Sequence, residues 1–117
     1  MSVTPLHFKV IYRNGAPTEI ADFYRDQSGK FIFDYRDNPA YEFPGFVTSE
    51  KRFESESLWE QISIRIPNLI RDQNPDKALE ELLILTGGKL VTDHFEFDYV
   101  SKSEPSSVID ANITHHI

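Results

Sequence analysis

Three stretches of this chain alternate bulky apolar residues with polar ones at a period of two. Phe8, Val10 and Tyr12 share one side of His7 to Arg13; Phe31, Phe33 and Tyr35 share one side of Lys30 to Arg36; Val91, Phe95, Phe97 and Tyr99 share one side of Lys89 to Val100. Successive side chains on a strand point to opposite faces, so each run predicts a strand with one aromatic face to bury. A further run, Thr18 to Asp26, lies between the first two, and Asn14-Gly15 and Gln27-Ser28-Gly29 supply the turns. Asn14-Gly15 is read as a two-residue type I′ turn, because both central residues of that turn need positive φ. Asp37-Asn38-Pro39 ends the third run. The first part of the chain is therefore an antiparallel meander. Tyr41 to Phe46, interrupted by Pro44, is read as a loop that packs across the sheet.

Two helices are expected between the meander and the last strand. In the first, Leu58, Ile62 and Ile66 fall on one stripe at i, i+4, i+8, Ser57 and Glu60 fit a capping box, and Pro67 stops the helix. Ile62 to Ile66 also alternates like a strand; the capping residues favour a helix. The second is read from Asn74 as N-cap and Pro75 at the first position, with Ala78, Leu79, Leu82, Leu83 and Leu85 as its apolar face and Gly87-Gly88 as its end. The fold class that follows is α+β: an antiparallel meander or small barrel-like sheet with two helices inserted before the last strand. The domain spans residues 1–102, and residues 103–117, polar and containing Pro105, form a disordered tail.

The 117 residues carry 19 Asp and Glu against 12 Lys and Arg, a net charge of −7, and no cysteine. The acidic balance argues against direct nucleic-acid binding, which needs a basic footprint. Cysteine-free composition fits a reducing compartment, and neither a secretory signal nor a membrane-length apolar run is present, so a cytoplasmic protein is expected. The sequence holds no phosphate-binding glycine loop, nucleophile elbow or zinc-binding helix motif. His94 lies among Asp93, Glu96 and Asp98, but alternation sends Asp93 to the other face, so a solvated strand face is the reading. No catalytic, cofactor or metal residue is assigned, and the chain is read as a non-enzyme.

The one candidate site is a partner-binding surface. The single tryptophan, Trp59, sits about 100° around the helix from Leu58, at the margin of the apolar stripe. A Trp there either finishes the core or reaches a partner. On the second reading Trp59 is the anchor, flanked by Leu58, Glu60 and Ile64, the last pointing away from the stripe.

The order of elements resembles the N-terminal subdomain of HipA-type serine/threonine kinases. Ser55-Glu56-Ser57-Leu58-Trp59 through Ile64-Arg65-Ile66-Pro67 is similar to that family's acidic-flanked aromatic helix ending in Leu-Leu-Pro. Leu82 to Leu90, followed by Val91 to Phe97, is similar to its Leu-rich helix, G-x-D-x-x-G-A turn and strand. The acidic residue and last glycine of that motif are missing, and Phe46 to Glu50 stands where the family has S-L-P-L. The likeness covers about residues 7 to 100, and the kinase core is absent. A free-standing copy resembles the small, HipS-like members of three-part HipBST-type toxin–antitoxin systems. The resemblance implies a bacterial antitoxin that binds and inhibits a separate HipA-like kinase, HipT, alongside a helix-turn-helix DNA-binding protein, possible in one ternary complex. A module that bridges those two proteins without inhibiting is the alternative.

Overall fold

The computed structural model describes residues 4–55, 57–90 and 93–105. The chain runs β1 (Leu6–Tyr12), β2 (Thr18–Arg25), β3 (Phe31–Tyr35), β4 (Arg52–Glu54), α1 (Leu58–Ser63), α2 (Asn68–Gln73), α3 (Leu79–Thr86) and β5 (Phe95–Ser101). The strands make one antiparallel sheet in the order β4-β3-β2-β1-β5, so the last strand returns to lie beside the first. Period-two alternation drives it: Phe8 sits opposite Phe23 on β2 and Tyr99 on β5, and Phe23 sits opposite Phe33 on β3. Their side chains line one face with Val10, Tyr35 and Phe97, and the helices and the turn after α1 cover that face with Leu58, Ile62, Ile66, Leu82 and Leu83. A bulge adds to this face. Val10 pairs with Ala21 and Ile11 with Glu19, which leaves Ile20 as the extra residue, and both Ile20 and Ala21 are buried.

Two features of the expected architecture are corrected. The sheet is open and not barrel-like. Closure would need β4 to pair with β5, but β4 has three residues, and part of the free edge of β5 is already occupied. The Phe97 N–H donates to the Gly87 carbonyl at 2.6 Å and the Phe95 carbonyl accepts from Arg65 at 3.3 Å. Helices number three among the described residues, not two. Pro67 ends the first turn-rich segment, yet in an extended conformation (φ −59°, ψ 143°) it also opens α2. No residue of α2 is fully buried; Ile70 packs on the core in part.

Local chemistry departs from expectation at four further points. The β1–β2 hairpin closes through residues 13–17 rather than through a two-residue turn, with Gly15 alone taking positive φ (95°). Ser57 is already in helical conformation and its side chain caps nothing; its hydroxyl shares a 2.8 Å hydrogen bond with Ser55. Asn74 ends α2 instead of starting α3, its side-chain amide donating to the Ile70 carbonyl at 2.8 Å. The last helix therefore begins at Leu79, leaving Ala78 outside it and exposed; Leu85, about 200° around the helix from buried Leu83, is exposed as well. Gly87 does end it, in left-handed conformation (φ 69°), with its N–H donating to the Leu83 carbonyl at 2.8 Å.

The loop before β4 is held by Tyr35. Its hydroxyl donates to the Phe46 carbonyl and accepts from the Phe43 N–H at 2.8 Å, which turns Phe43 and Phe46 into the core over Phe33. Burial raises the Tyr35 hydroxyl above its ordinary pKa, opposed by the Phe43 N–H. Of the expected last strand, Val91 and Thr92 lie outside the described residues. So does the expected tail beyond Pro105, which is itself buried.

Gly88 has no room for a side chain. Its φ is +60°, and a methyl there would lie 2.9 Å from Leu83 Cδ1 and 3.1 Å from Phe97 Cδ1. Gly87, whose methyl would meet only the flexible Glu96 side chain at 3.3 Å, is the less crowded neighbour. Gly88→Ala is expected to destabilise the fold by about 1–3 kcal/mol, the range of an overpacked core, and by more than Gly87→Ala. Urea unfolding of both variants checks this; equal losses would contradict the packing described.

Candidate functional site

The candidate surface is built on α1. Leu58 and Ile62 bury on the sheet, and the helix then tightens: the Arg65 N–H donates to the Ile62 carbonyl and the Ile66 N–H to Ser63, both at 3.0 Å. This i→i+3 spacing has three residues per turn. It carries Arg65 and Ile66 inward and throws Ile64 outward, where it is 74 % exposed.

Trp59 takes an intermediate position. It is half-buried, its ring lying nearly parallel to those of both Phe31 (5.1 Å between centroids, 12°) and Phe23 (6.4 Å, 9°). Phe31 and Phe23 stack in turn at 5.6 Å. The Arg25 guanidinium stands 5.9 Å from the Phe31 centroid and is tied to Glu80 on α3 at 2.8 Å. The indole is thus seated on two sheet rings and fixed in orientation, while part of it stays open to solvent. Glu60 is exposed beside it. Leu58, expected as a flanking contact, is 2 % exposed and belongs to the core. The structure therefore brings Trp59, Glu60 and Ile64 to the surface of α1 and places Leu58 beneath them. The stripe spacing already separated Leu58 from the other three, since it shares its face with Ile62 and Ile66.

Arg65 was not singled out by the sequence, because neither the helical stripe of Leu58, Ile62 and Ile66 nor the alternation of Ile62 to Ile66 marks an Arg as buried. It is 4 % exposed. Its guanidinium donates to both Asp93 oxygens (2.8 and 3.1 Å), to the Gly88 carbonyl (2.7 Å) and to the Phe95 carbonyl, and it lies over Phe43 and Phe97 at 5.0 and 5.8 Å. This Arg holds the end of α1 against the α3–β5 turn and so sets how α1 presents Trp59 and Ile64.

Among the described residues no group of three or more His, Asp or Glu side chains is placed to hold a metal ion. Asp93 is committed to Arg65, and His94 stands exposed, its ring against Tyr12. The concavities are shallow. One of about 260 Å³ is lined by Asp22, Asp34, Arg36 and Lys51, which pair with one another or with their neighbours. On the same face His7 Nε2 meets Asp22 at 2.6 Å. No helix among the described residues is long and apolar enough to cross a membrane. Compared with protein-family models, with curated proteins and with solved structures, the chain matches none.

The Asp93 pair predicts a pH response. Burial opposes the charged carboxylate, but the Arg65 hydrogen bonds, the Phe95 N–H and the Arg65 charge outweigh it and hold Asp93 below its ordinary value of 3.8. A carboxylate lowered in the folded state adds stability above its ordinary pKa and loses it as pH falls through the lowered value. Asp93→Asn is expected to lower Tm at neutral pH and to flatten the decline of Tm below pH of about 4. Thermal unfolding across that range tests it; an acid limb as steep as that of the parent would contradict the assignment.

Proposed function

We propose that this chain is a non-catalytic antitoxin that binds and restrains a separate HipA-like serine/threonine kinase, HipT, in the bacterial cytoplasm, with a helix-turn-helix DNA-binding protein as a further member of the assembly. The observation that carries the reading is Trp59. Its ring is pre-seated on Phe31 and Phe23, so little side-chain freedom is lost when a partner covers the rest. Interface hot spots are enriched in Trp, which a partner would desolvate completely. Exposed Ile64 adds apolar contact area, and Glu60 adds a charge at the rim. The mechanism is obstruction: the α1 surface occupies the kinase cleft, or holds its lobes apart, and performs no bond chemistry itself.

Trp59→Ala separates this role from a purely structural one. A partner anchor carries ~2–4 kcal/mol of association, roughly 30- to 1000-fold in affinity. Loss of a fully buried Trp costs ~3–5 kcal/mol of stability. The half-buried ring is expected to cost less than that, leaving a folded variant with strongly reduced affinity for the kinase and no rescue of kinase-poisoned cells. Calorimetry of the isolated variant and titration against the kinase measure both. A variant that binds and rescues like the parent would overturn the anchor role. Full binding by the parent chain with undiminished kinase activity would replace inhibition by bridging.

A further inference from the structure

β2 ends with a charge on its apolar face. Period-two alternation puts Arg25 on the same side as Phe23. Its cross-strand neighbours there are Leu6 on β1 and Phe31 on β3. An arginine so placed has to use its donors, because an unpaired charge out of water is costly. The side chain is 14 % exposed, and its fork is occupied. Nε and Nη2 donate to the Thr4 carbonyl at 3.1 and 2.7 Å, and Nη1 donates to Glu80 at 2.8 Å.

Pieces of chain distant in sequence thus meet on this guanidinium. Thr4 leads into β1, Glu80 stands in the first turn of α3, and Arg25 itself leads into the hairpin that delivers Phe31. The guanidinium carbon lies 5.9 Å from the Phe31 centroid. Phe31 is the first residue of β3 and only half-buried, and the ends of elements are the first parts of a fold to open. Trp59 nevertheless lies nearer to this ring, at 5.1 Å, than to the fully buried Phe23, at 6.4 Å. The ring that seats the indole most closely is the one beside Arg25.

We propose that Arg25 is a positioning residue for Trp59. It acts through Phe31. Its fork ties that end of the β2–β3 hairpin to α3 and to the approach to β1, and so holds still the shelf on which the indole lies. The orientation offered by Trp59 is then set by contacts remote from α1. The consequence for affinity rests on the reading of Trp59 as an anchor for a kinase; the consequence for the indole itself does not.

The single tryptophan makes the test direct. Time-resolved fluorescence anisotropy of the free full chain reads the local motion of Trp59, at a temperature where circular dichroism shows every variant folded. The parent is expected to decay with overall tumbling alone. Arg25→Gln should add a fast component, and Glu80→Gln, which removes only the tie to α3, a smaller one. Arg36→Gln, whose guanidinium pairs with Glu19 and Asp22 away from the stack, should leave the decay unchanged. Titrated against the kinase, Arg25→Gln should bind about two- to tenfold more weakly, the cost of immobilising one freed side chain on association. An Arg25→Gln variant whose Tm falls while its indole stays as still as in the parent would show a merely structural arginine and overturn the proposal. A fast component already present in the parent, or an equal one in Arg36→Gln, would do the same. Should Arg25→Gln fail to fold, Glu80→Gln decides, and an unchanged decay overturns the proposal. A freed indole in the variants together with a parent that does not bind the kinase would support the positioning role and overturn the kinase reading instead.

Discussion

The buried guanidinium of Arg65 is the constraint on which the arrangement of the helices depends. Three pieces of chain distant in sequence meet on it: the end of α1, the Gly87-Gly88 turn after α3, and the start of β5. A charge taken out of water is costly unless it is paired and its remaining donors are used. Both conditions are met here by a two-pronged carboxylate contact, two backbone carbonyls and two aromatic faces. The same turn brings the Gly87 carbonyl onto the Phe97 N–H, so the edge of β5 is occupied where α3 arrives. Replacing the Arg would strand Asp93 and unlatch the helical layer from the sheet edge together.

Function follows from what this latch leaves outside. The aromatic sheet face takes Leu58 and Ile62 in, and the tight turn after α1 takes in Arg65 and Ile66 while expelling Ile64. Trp59 falls between these extremes because Phe31, itself half-buried at the start of β3, provides the shelf it lies on. The core side of this layer is thus fixed, while Ile64 and part of Trp59 stand outside it on α1 and the turn that follows.

Much of this was legible in the sequence wherever one physical signal dominated. Period-two alternation of Phe and Tyr located β1, β3 and β5, and the Leu58-Ile62-Ile66 stripe located the buried side of α1. Gly87 marked the end of α3 because a left-handed residue is needed there. What was hidden had weak or ambiguous local signals. β4 is three residues with charges at both ends, and α2 buries no residue completely, so neither shows a period. Asn74-Pro75 has the chemistry of a helix start, yet the Asn side chain served the preceding helix instead. The open sheet was hidden for a different reason: what occupies the β5 edge is Arg65 and a glycine carbonyl, a tertiary contact with no local signature. The helical spacing puts Trp59 at the margin of the apolar stripe, but whether such a residue faces core or solvent depends on Phe31 and Phe23 on the sheet.

The central claim is that Trp59 is held by the fold as a half-open anchor for a kinase partner. Because the chain has a single tryptophan, incorporation of fluorotryptophan gives one fluorine resonance that reports this position alone. In the free chain the account predicts a single sharp line with a partial solvent isotope shift, and a clear change of that line when an unlabelled HipA-like kinase is added to saturation. A line that shows no solvent sensitivity in the free chain, or one that stays in place while the kinase binds, would contradict it.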